Sequence, residues 1–377
     1  MDSTPERLLV RGVNWLGDAV MTTPALLRLR EALPRTHIAL LTAAKLAPLW
    51  ERHPAIDQVI PFTGEDSVMG IARRLRAGSF DTALVLPNSP RSALEVFLAG
   101  IPHRVGCARS WRNLLLTRVL PARQEEVKMH KRSRREIEHL IREPKPKVPP
   151  PAAAHHVHHY LHLAAALGAQ RDPLPPLIAV LASEVDAMRA RFAPDAMRAR
   201  PLIGLNVGAE YGPAKRWPRE RFVEAGIALQ RRTGCGLWVF GGPADVPVAQ
   251  SIAAEIRSAA AAPPDTVRCL AGETSLRELC AALKACDVVL TNDTGPMHVA
   301  AAVGTPVVVP FGSTSPELTG PGLPGDRRHQ LIQADAPCSP CFLRECPIDF
   351  RCMKGLAVSA LVEATLAALA GRAKRTL

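Results

Sequence analysis

The sequence predicts an α/β protein of two domains, each a mostly parallel sheet with helices on both faces. Three observations carry that expectation. Short apolar runs alternate with longer helical patterns through the first half, the same rhythm returns in the second half, and a proline-rich break lies between them. A chain of 377 residues has room for about two domains, and 47% hydrophobic with 22% charged residues is an ordinary globular balance.

Along the first half, residues 8–10, 38–41, 59–60 and 83–86 read as strands, with helical patterns at 25–33 and 71–75 between them. Residues 144–151 are a stiff polar segment, 157–167 a helix stopped at Gly168, and 172–176 a second proline break. The boundary falls there, giving domains 1–176 and 177–377. In the second, 202–207, 237–240, 267–270, 288–290 and 307–309 read as strands, with 276–286 and 296–303 as helices. An amphipathic helix at about 355–371 closes the chain, with the option of packing back on the first domain. Two such sheets facing a central cleft would take ligands at the carboxyl ends of their strands.

The formal net charge is +12, and residues 103–147 alone hold 13 basic against 5 acidic side chains. Such a stretch attracts polyanions: nucleic acid, acidic lipid or an acidic saccharide. Aromatic residues are only 4% of the chain, which argues against base stacking and so against nucleic acid. No apolar run approaches the ~18 residues of a membrane span, and the first residues lack a signal-peptide pattern. A cytoplasmic location is expected. The nine cysteines are then mostly thiols.

Several strand-end loops carry chemistry. Residues 11–18, Arg-Gly-Val-Asn-Trp-Leu-Gly-Asp, place Asp18 at the start of a helix, as its N-cap or as a general base at the cleft edge. Residues 206–218 form a glycine-rich loop with adjacent Lys215 and Arg216, suited to a diphosphate or simply a surface turn. Asp245, after Gly241-Gly242, could cap a helix or accept from a ribose hydroxyl, and Thr274 in Gly272–Ser275 has the same two readings. Asn292-Asp293-Thr294-Gly295-Pro296-Met297-His298 breaks an apolar strand and opens a helix, presenting backbone N–H groups and the positive end of a helix dipole to a phosphate. Cys338, Cys341, Cys346 and Cys352 have the number for a tetrahedral zinc but not the spacing of a standard ribbon, so free thiols or a disulfide are favoured. The histidines of 155–162 read as exposed side chains at a helix start. Residues 111–120, apolar with arginines and followed by the basic stretch 128–142, suggest a surface for a membrane interface or an amphiphilic substrate.

Three of these loops in register, 14–18, 208–218 and 292–301, resemble the ADP-heptose:lipopolysaccharide heptosyltransferases of glycosyltransferase family 9, and over nearly the whole chain. The mid-chain loop and the cysteine segment are similar to the heptosyltransferase II branch. The resemblance implies a GT-B architecture of two Rossmann-like domains, with acceptor on the first and nucleotide sugar on the second. It implies an inverting, metal-independent transfer of L-glycero-D-manno-heptose from ADP-heptose to the first heptose of the inner core on Kdo-lipid A. By that analogy Asp18 is the base and Lys215 the group that stabilises the leaving diphosphate. Donor contacts would come from Lys215, Arg216, Asp245, Thr274, Asp293, Thr294, Gly295 and His298, with Asp293 capping the helix or orienting Lys215 and His298 rather than touching phosphate. Acceptor contacts would come from Asn14, Arg104, Arg109 and Arg112. No cofactor is required, a structural zinc is disfavoured, and the enzyme would sit peripherally on the cytoplasmic face of the inner membrane. The histidine run, the proline-rich 144–151 and Ile348-Asp349-Phe350, where relatives often place a histidine, depart from the family pattern. A paralogue with another acceptor (heptosyltransferase I or III), a nucleotide-sugar epimerase of the same fold, and a non-catalytic binder of anionic lipid or nucleic acid are the competing readings.

Overall fold

The computed structural model describes residues 4–193, 197, 200–259 and 263–376. The chain divides into two compact units, residues 1–126 with 153–179, and residues 127–152 with 180–377.

The first unit is a six-stranded parallel sheet of β1 (Arg7–Arg11), β2 (His37–Ala43), β3 (Gln58–Phe62), β4 (Thr82–Val85), β5 (His103–Cys107) and β6 (Arg118–Leu120), ordered β3-β2-β1-β4-β5-β6. Its helices are α1 (Leu16–Ala32), α2 (Val68–Ala77) and α3 (Pro90–Leu98); α4 (Arg134–Arg142) follows in the chain but packs with the second unit, and α5 (Val157–Ala165) returns to the first. β1 and β4 pair directly, so the order reverses between them. This is the switch point at which ligands of open parallel sheets bind, beyond the carboxyl ends of the strands.

The second unit repeats the plan. After α6 (Ala182–Phe192) come β7 (Leu202–Asn206), α7 (Arg219–Thr233), β8 (Gly236–Phe240), α8 (Val246–Ala259), β9 (Val267–Cys269), α9 (Leu276–Ala285), β10 (Val288–Thr291), α10 (Gly295–Ala302), β11 (Val307–Phe311), α11 (Pro316–Thr319), β12 (Gln330–Gln333), α12 (Arg351–Lys354) and α13 (Val358–Thr376). The sheet order is β12-β11-β10-β7-β8-β9, which is the order of the first sheet with the strands counted from β7. Its switch point lies between β7 and β10.

The central strands β4, β7, β8, β10 and β11 are buried at every position, as expected of parallel strands covered on both faces, and this is why they read as unbroken apolar runs. Helix starts are locally encoded. Ser275 accepts from the Glu278 backbone N–H at 3.2 Å while Glu278 accepts from the Ser275 N–H at 2.8 Å, a capping box that opens α9. Gly234 at φ +63 ends α7 in the left-handed conformation.

Two expectations are corrected here. Residues 127–152, placed by sequence within 1–176, pack on the second unit, where Arg132 donates from Nη1 to the Cys338 carbonyl at 2.9 Å and from its backbone to the Cys341 carbonyl at 3.1 Å. The closing helix α13 packs on α7, β10, β11 and β12 of its own unit, through Leu361, Val362 and Ala368. Among the described residues no helix is long and apolar enough to cross a membrane.

At the carboxyl end of β1 the chain buries an ion pair. Arg11 Nε lies 2.9 Å from Glu95 Oε2, with the two side chains 3% and 0% exposed. Replacing Glu95 with leucine leaves a buried guanidinium unpaired and should lower the unfolding free energy by about 3–5 kcal/mol. The double variant Arg11→Met/Glu95→Leu should recover much of that loss. Urea unfolding of the two variants checks this; equal losses would show that the charge pair is not what matters.

Candidate active site

In the first unit the switch-point loop is short and fixed. Gly12 N–H donates to the Leu41 carbonyl at 2.9 Å, and Arg11 Nη1 donates to the Gly12 carbonyl at 2.6 Å and to Asn14 Oδ1 at 3.1 Å. Arg11 itself is held between Glu95 and the Phe62 ring, 4.5 Å from its centroid. Trp15 is the extended N-cap of α1 and makes no side-chain cap, so Asp18 stands third in the helix rather than capping it. A carboxylate in the first turn is stabilised by the helix dipole. Asp18 is half-buried, and Tyr160 Oη donates to its Oδ1 at 3.4 Å.

Tyr160 and its neighbours correct the reading of the histidine run. His155 and Tyr160 are buried, and His156, His158, His159 and His162 are half-buried on α5 and the turn before it. Burial pushes the Tyr160 hydroxyl well above its ordinary pKa, with the Asp18 charge adding to the shift. His156 is pushed down by burial, against the pull of Asp18, and His159 is pushed down to about 4 by burial. The sequence signal for this partner of Asp18 was the i, i+4 spacing of His156 and Tyr160 on one helix face.

In the second unit the switch-point loops after β7 and β10 are tied together by Asn292, which sequence reading left unassigned. It is wholly buried; its Oδ1 accepts from the Trp217 backbone at 2.9 Å and its Nδ2 donates to the Val207 carbonyl at 2.8 Å. The tie brings Lys215, in the turn Pro213–Lys215, to Asp293: Lys215 Nζ lies 2.6 Å from Asp293 Oδ2, and the side chains are 14% and 3% exposed. Thr314 Oγ1, beyond β11, donates to the same carboxylate oxygen. The Lys215 ammonium also sits 4.9 Å from the Tyr211 ring centroid. Asp293 therefore holds Lys215 and leaves the cap of α10 to Thr294, which is extended and makes no side-chain cap. Pro296 has no N–H and Met297 N–H returns to the Thr294 carbonyl, so Thr294 and Gly295 offer the first backbone donors of this helix. His298 is buried one turn further along.

Asp245 backs the loop. It accepts from the Gly242 N–H at 3.1 Å and pairs with Arg216 Nη2 at 3.2 Å, and a Cβ at Gly208 would lie 2.1 Å from its Oδ2, so a side chain there would displace this carboxylate. Thr274 is half-buried beside Ser275, and Ser275, not Thr274, caps α9.

The expected acceptor residues separate. Asn14 and Arg109 are exposed. Arg112 is wholly buried, its guanidinium spent on the Cys107 and Val85 carbonyls, and Arg104 turns its guanidinium to the carbonyls of Ile101, Pro102 and Leu115, so neither presents a charge to a ligand here.

The cysteine segment packs behind Lys215. Ala214 N–H donates to the Arg344 carbonyl at 3.0 Å, and Cys341 and Phe342 N–H both donate to the Ser313 carbonyl. Cys338, Cys341, Cys346 and Cys352 line a void of about 10 Å³, and among the described residues no group of three or more His, Cys, Asp or Glu is arranged to hold a metal ion. Burial pushes the Cys352 thiol up to about 12, with the neighbouring thiols adding to the shift, so it is neutral near pH 7.

Comparison with known proteins bears on what these paired switch-point sites do. The profile of glycosyltransferase family 9 (heptosyltransferase) matches residues 115–350. Lipopolysaccharide heptosyltransferase 2 of Salmonella typhimurium is 33% identical over 328 residues, 84% of this chain and 85% of that protein. The chain belongs to glycosyltransferase family 9. Its fold agrees: the structure of E. coli ADP-heptose LPS heptosyltransferase II superposes with a TM-score of 0.76 at 28% identity, covering 97% of this chain and 99% of that one. The structure of E. coli heptosyltransferase WaaC with ADP shares the fold at 19% identity and a TM-score of 0.67, covering 96% and 99% of the two chains. As a family 9 heptosyltransferase, the protein is an enzyme of the GT-B class, with two parallel six-stranded sheets.

The buried histidines give the heptosyltransferase an acid-sensitive first unit. His159, and likewise His53, has a folded pKa of about 4 because burial disfavours the imidazolium, against about 6.5 unfolded. The unfolded chain binds the extra protons, so this stability is complete above pH 6.5 and is lost as pH falls from there toward 4. Urea midpoints at pH 7.5 and pH 5 should differ, lower at pH 5, and His159→Gln should narrow the gap. Equal midpoints at the two pH values would refute the assignment.

Proposed function

We propose that this heptosyltransferase transfers L-glycero-D-manno-heptose from ADP-heptose to the first heptose of the lipopolysaccharide inner core, with inversion, at the cytoplasmic face of the inner membrane. The Lys215–Asp293 pair at the mouth of α10 is the observation that carries this reading. A half-buried ammonium fixed 2.6 Å from a buried carboxylate, beside the Thr294 and Gly295 N–H groups, is a seat for a diphosphate whose charge grows during the reaction.

The chemistry follows from the charges. Attack on the anomeric carbon breaks the bond to the β-phosphate, and the bonding electrons leave with ADP. Lys215 and the N–H groups of α10 stabilise that developing charge, which lowers the barrier rather than merely tightening binding. Asp293 and Thr314 hold the ammonium in place beforehand, so it needs no reorganisation as the bond breaks. On the acceptor, the attacking hydroxyl must lose a proton, and Asp18 in the first turn of α1 is the carboxylate assigned to take it. Arg216, Asp245, Thr274 and His298 complete the donor assignment, and Asn14 with Arg109 the acceptor one, with donor on the second unit and acceptor on the first. The donor, its metal-independent transfer and the peripheral membrane location rest on the family resemblance of the loops.

The test is an acceptor panel, cores truncated at defined sugars, with ADP-heptose as donor. Wild type should extend the one-heptose core and no shorter one; failure to do so would sink the acceptor assignment. Asp18→Asn should abolish transfer with ADP binding retained. Lys215→Ala should lower kcat by about 10²–10³, the cost of losing one such charge stabiliser.

A further inference from the structure

Among the described residues of the first unit, the two most exposed large apolar side chains share one loop. Trp111 is 83% and Leu114 81% exposed, on the segment that leaves the carboxyl end of β5. Its shape is set from inside. Arg112, between them, is wholly buried, donating from Nη1 to the Cys107 carbonyl at 2.7 Å and from Nη2 to the Val85 carbonyl at 3.2 Å. Gly106 makes the room, since a Cβ there would lie 2.6 Å from Arg112 Nη2. With Arg112 pinned, and the Arg109 N–H donating to Asn113 Oδ1 at 2.9 Å, Trp111 is driven to φ +63, in the left-handed region that bulky residues avoid.

A buried guanidinium and a strained tryptophan both cost free energy. Neither hides the apolar side chains they project; they hold them in solvent. The surroundings say what should cover them. Residues 103–123 contain five arginines and no acidic residue, and Arg109 and Arg118 are exposed beside the tip. The tip also stands at the carboxyl edge of the sheet, the edge that carries the Asp18 loop and the half-exposed Trp15, whose ring centroid lies 6.0 Å from Lys45 Nζ. Arg109 has Glu126 Oε1 at 3.5 Å as a counter-ion, and Arg118 carries none in 103–123. Exposed tryptophan and leucine flanked by exposed arginine match the boundary between headgroup and acyl chain in an anionic bilayer.

We propose that the Trp111–Leu114 loop is a membrane-insertion tip that docks the carboxyl edge of the first unit onto an anionic lipid surface. The tip is small, so docking is reversible, as two side chains cannot anchor a protein of this size permanently. It deepens the proposed function, and its value to catalysis rests on the acceptor being lipid-held, but the binding itself does not.

The experiment is co-sedimentation of the full chain with vesicles of phosphatidylglycerol and phosphatidylethanolamine, against phosphatidylcholine alone. Wild type should bind the anionic vesicles, weaken with salt, and bind phosphatidylcholine poorly. Trp111→Ser/Leu114→Ser should bind at least about tenfold more weakly with an unchanged melting temperature, while Trp111→Phe keeps most of the binding. The serine variant should transfer to a water-soluble deacylated core like wild type and lose activity on acceptor embedded in vesicles. A serine variant that sediments like wild type, or a wild type that ignores anionic vesicles, overturns the proposal. Loss of transfer on both acceptors with vesicle binding intact overturns it too, since the tip would then touch the acceptor sugars. A wild type that binds vesicles but transfers to neither acceptor would instead count against the proposed function.

Discussion

Parallel strands place all their carboxyl ends on one edge of a sheet, and everything functional in this protein depends on that constraint. Each unit reverses its strand order once, between β1 and β4 and between β7 and β10, so adjacent strands send their chains apart and leave a crevice. The two loops of a crevice must then be joined by side chains, because the sheet no longer does it. In the first unit Arg11 does so, bound at once to Glu95, Gly12 and Asn14. In the second it is Asn292, which ties the β7 loop to the end of β10. The residues proposed to carry the chemistry, Asp18, Lys215 and Asp293, are each within a few residues of these ties.

The use of buried polar groups as struts recurs at Arg112. There a charged side chain serves as internal scaffolding, and its neighbours in sequence are what face the solvent. Glycines mark where backbone and strut approach: Gly106 under Arg112 and Gly208 under Asp245. In both cases the glycine leaves room for a side chain and does not make a turn.

The legible part of the fold is the part buried on both faces. β1, β4, β7, β8, β10 and β11 announce themselves as apolar runs, whereas β5, β6 and β12 were not read because His103, Arg104, Arg118, Gln330 and Gln333 give them the composition of loops. The site shows the same split. Gly-rich strand ends pointed to the Lys215 and Asp293 loops, since backbone geometry there is local. Partners set by distant packing were invisible: Tyr160 reaches Asp18 across 142 residues of sequence, and the burial of Arg112 depends on an empty space at Gly106. The histidines of α5 looked solvent-exposed because their polarity was legible and their packing against α1 was not.

If Lys215 serves the leaving diphosphate as proposed, the carboxylate of Asp293 has a consequence for the end of the catalytic cycle. A lone lysine that stabilised a departing diphosphate would keep holding it, and the spent nucleotide would block the next turnover. Asp293, buried and already bound to the ammonium, is a built-in competitor for that same cation. With Asp293 in contact throughout, the lysine would not be left unpaired as the nucleotide loosens. Such a site would trade some affinity for its product against the speed with which it empties.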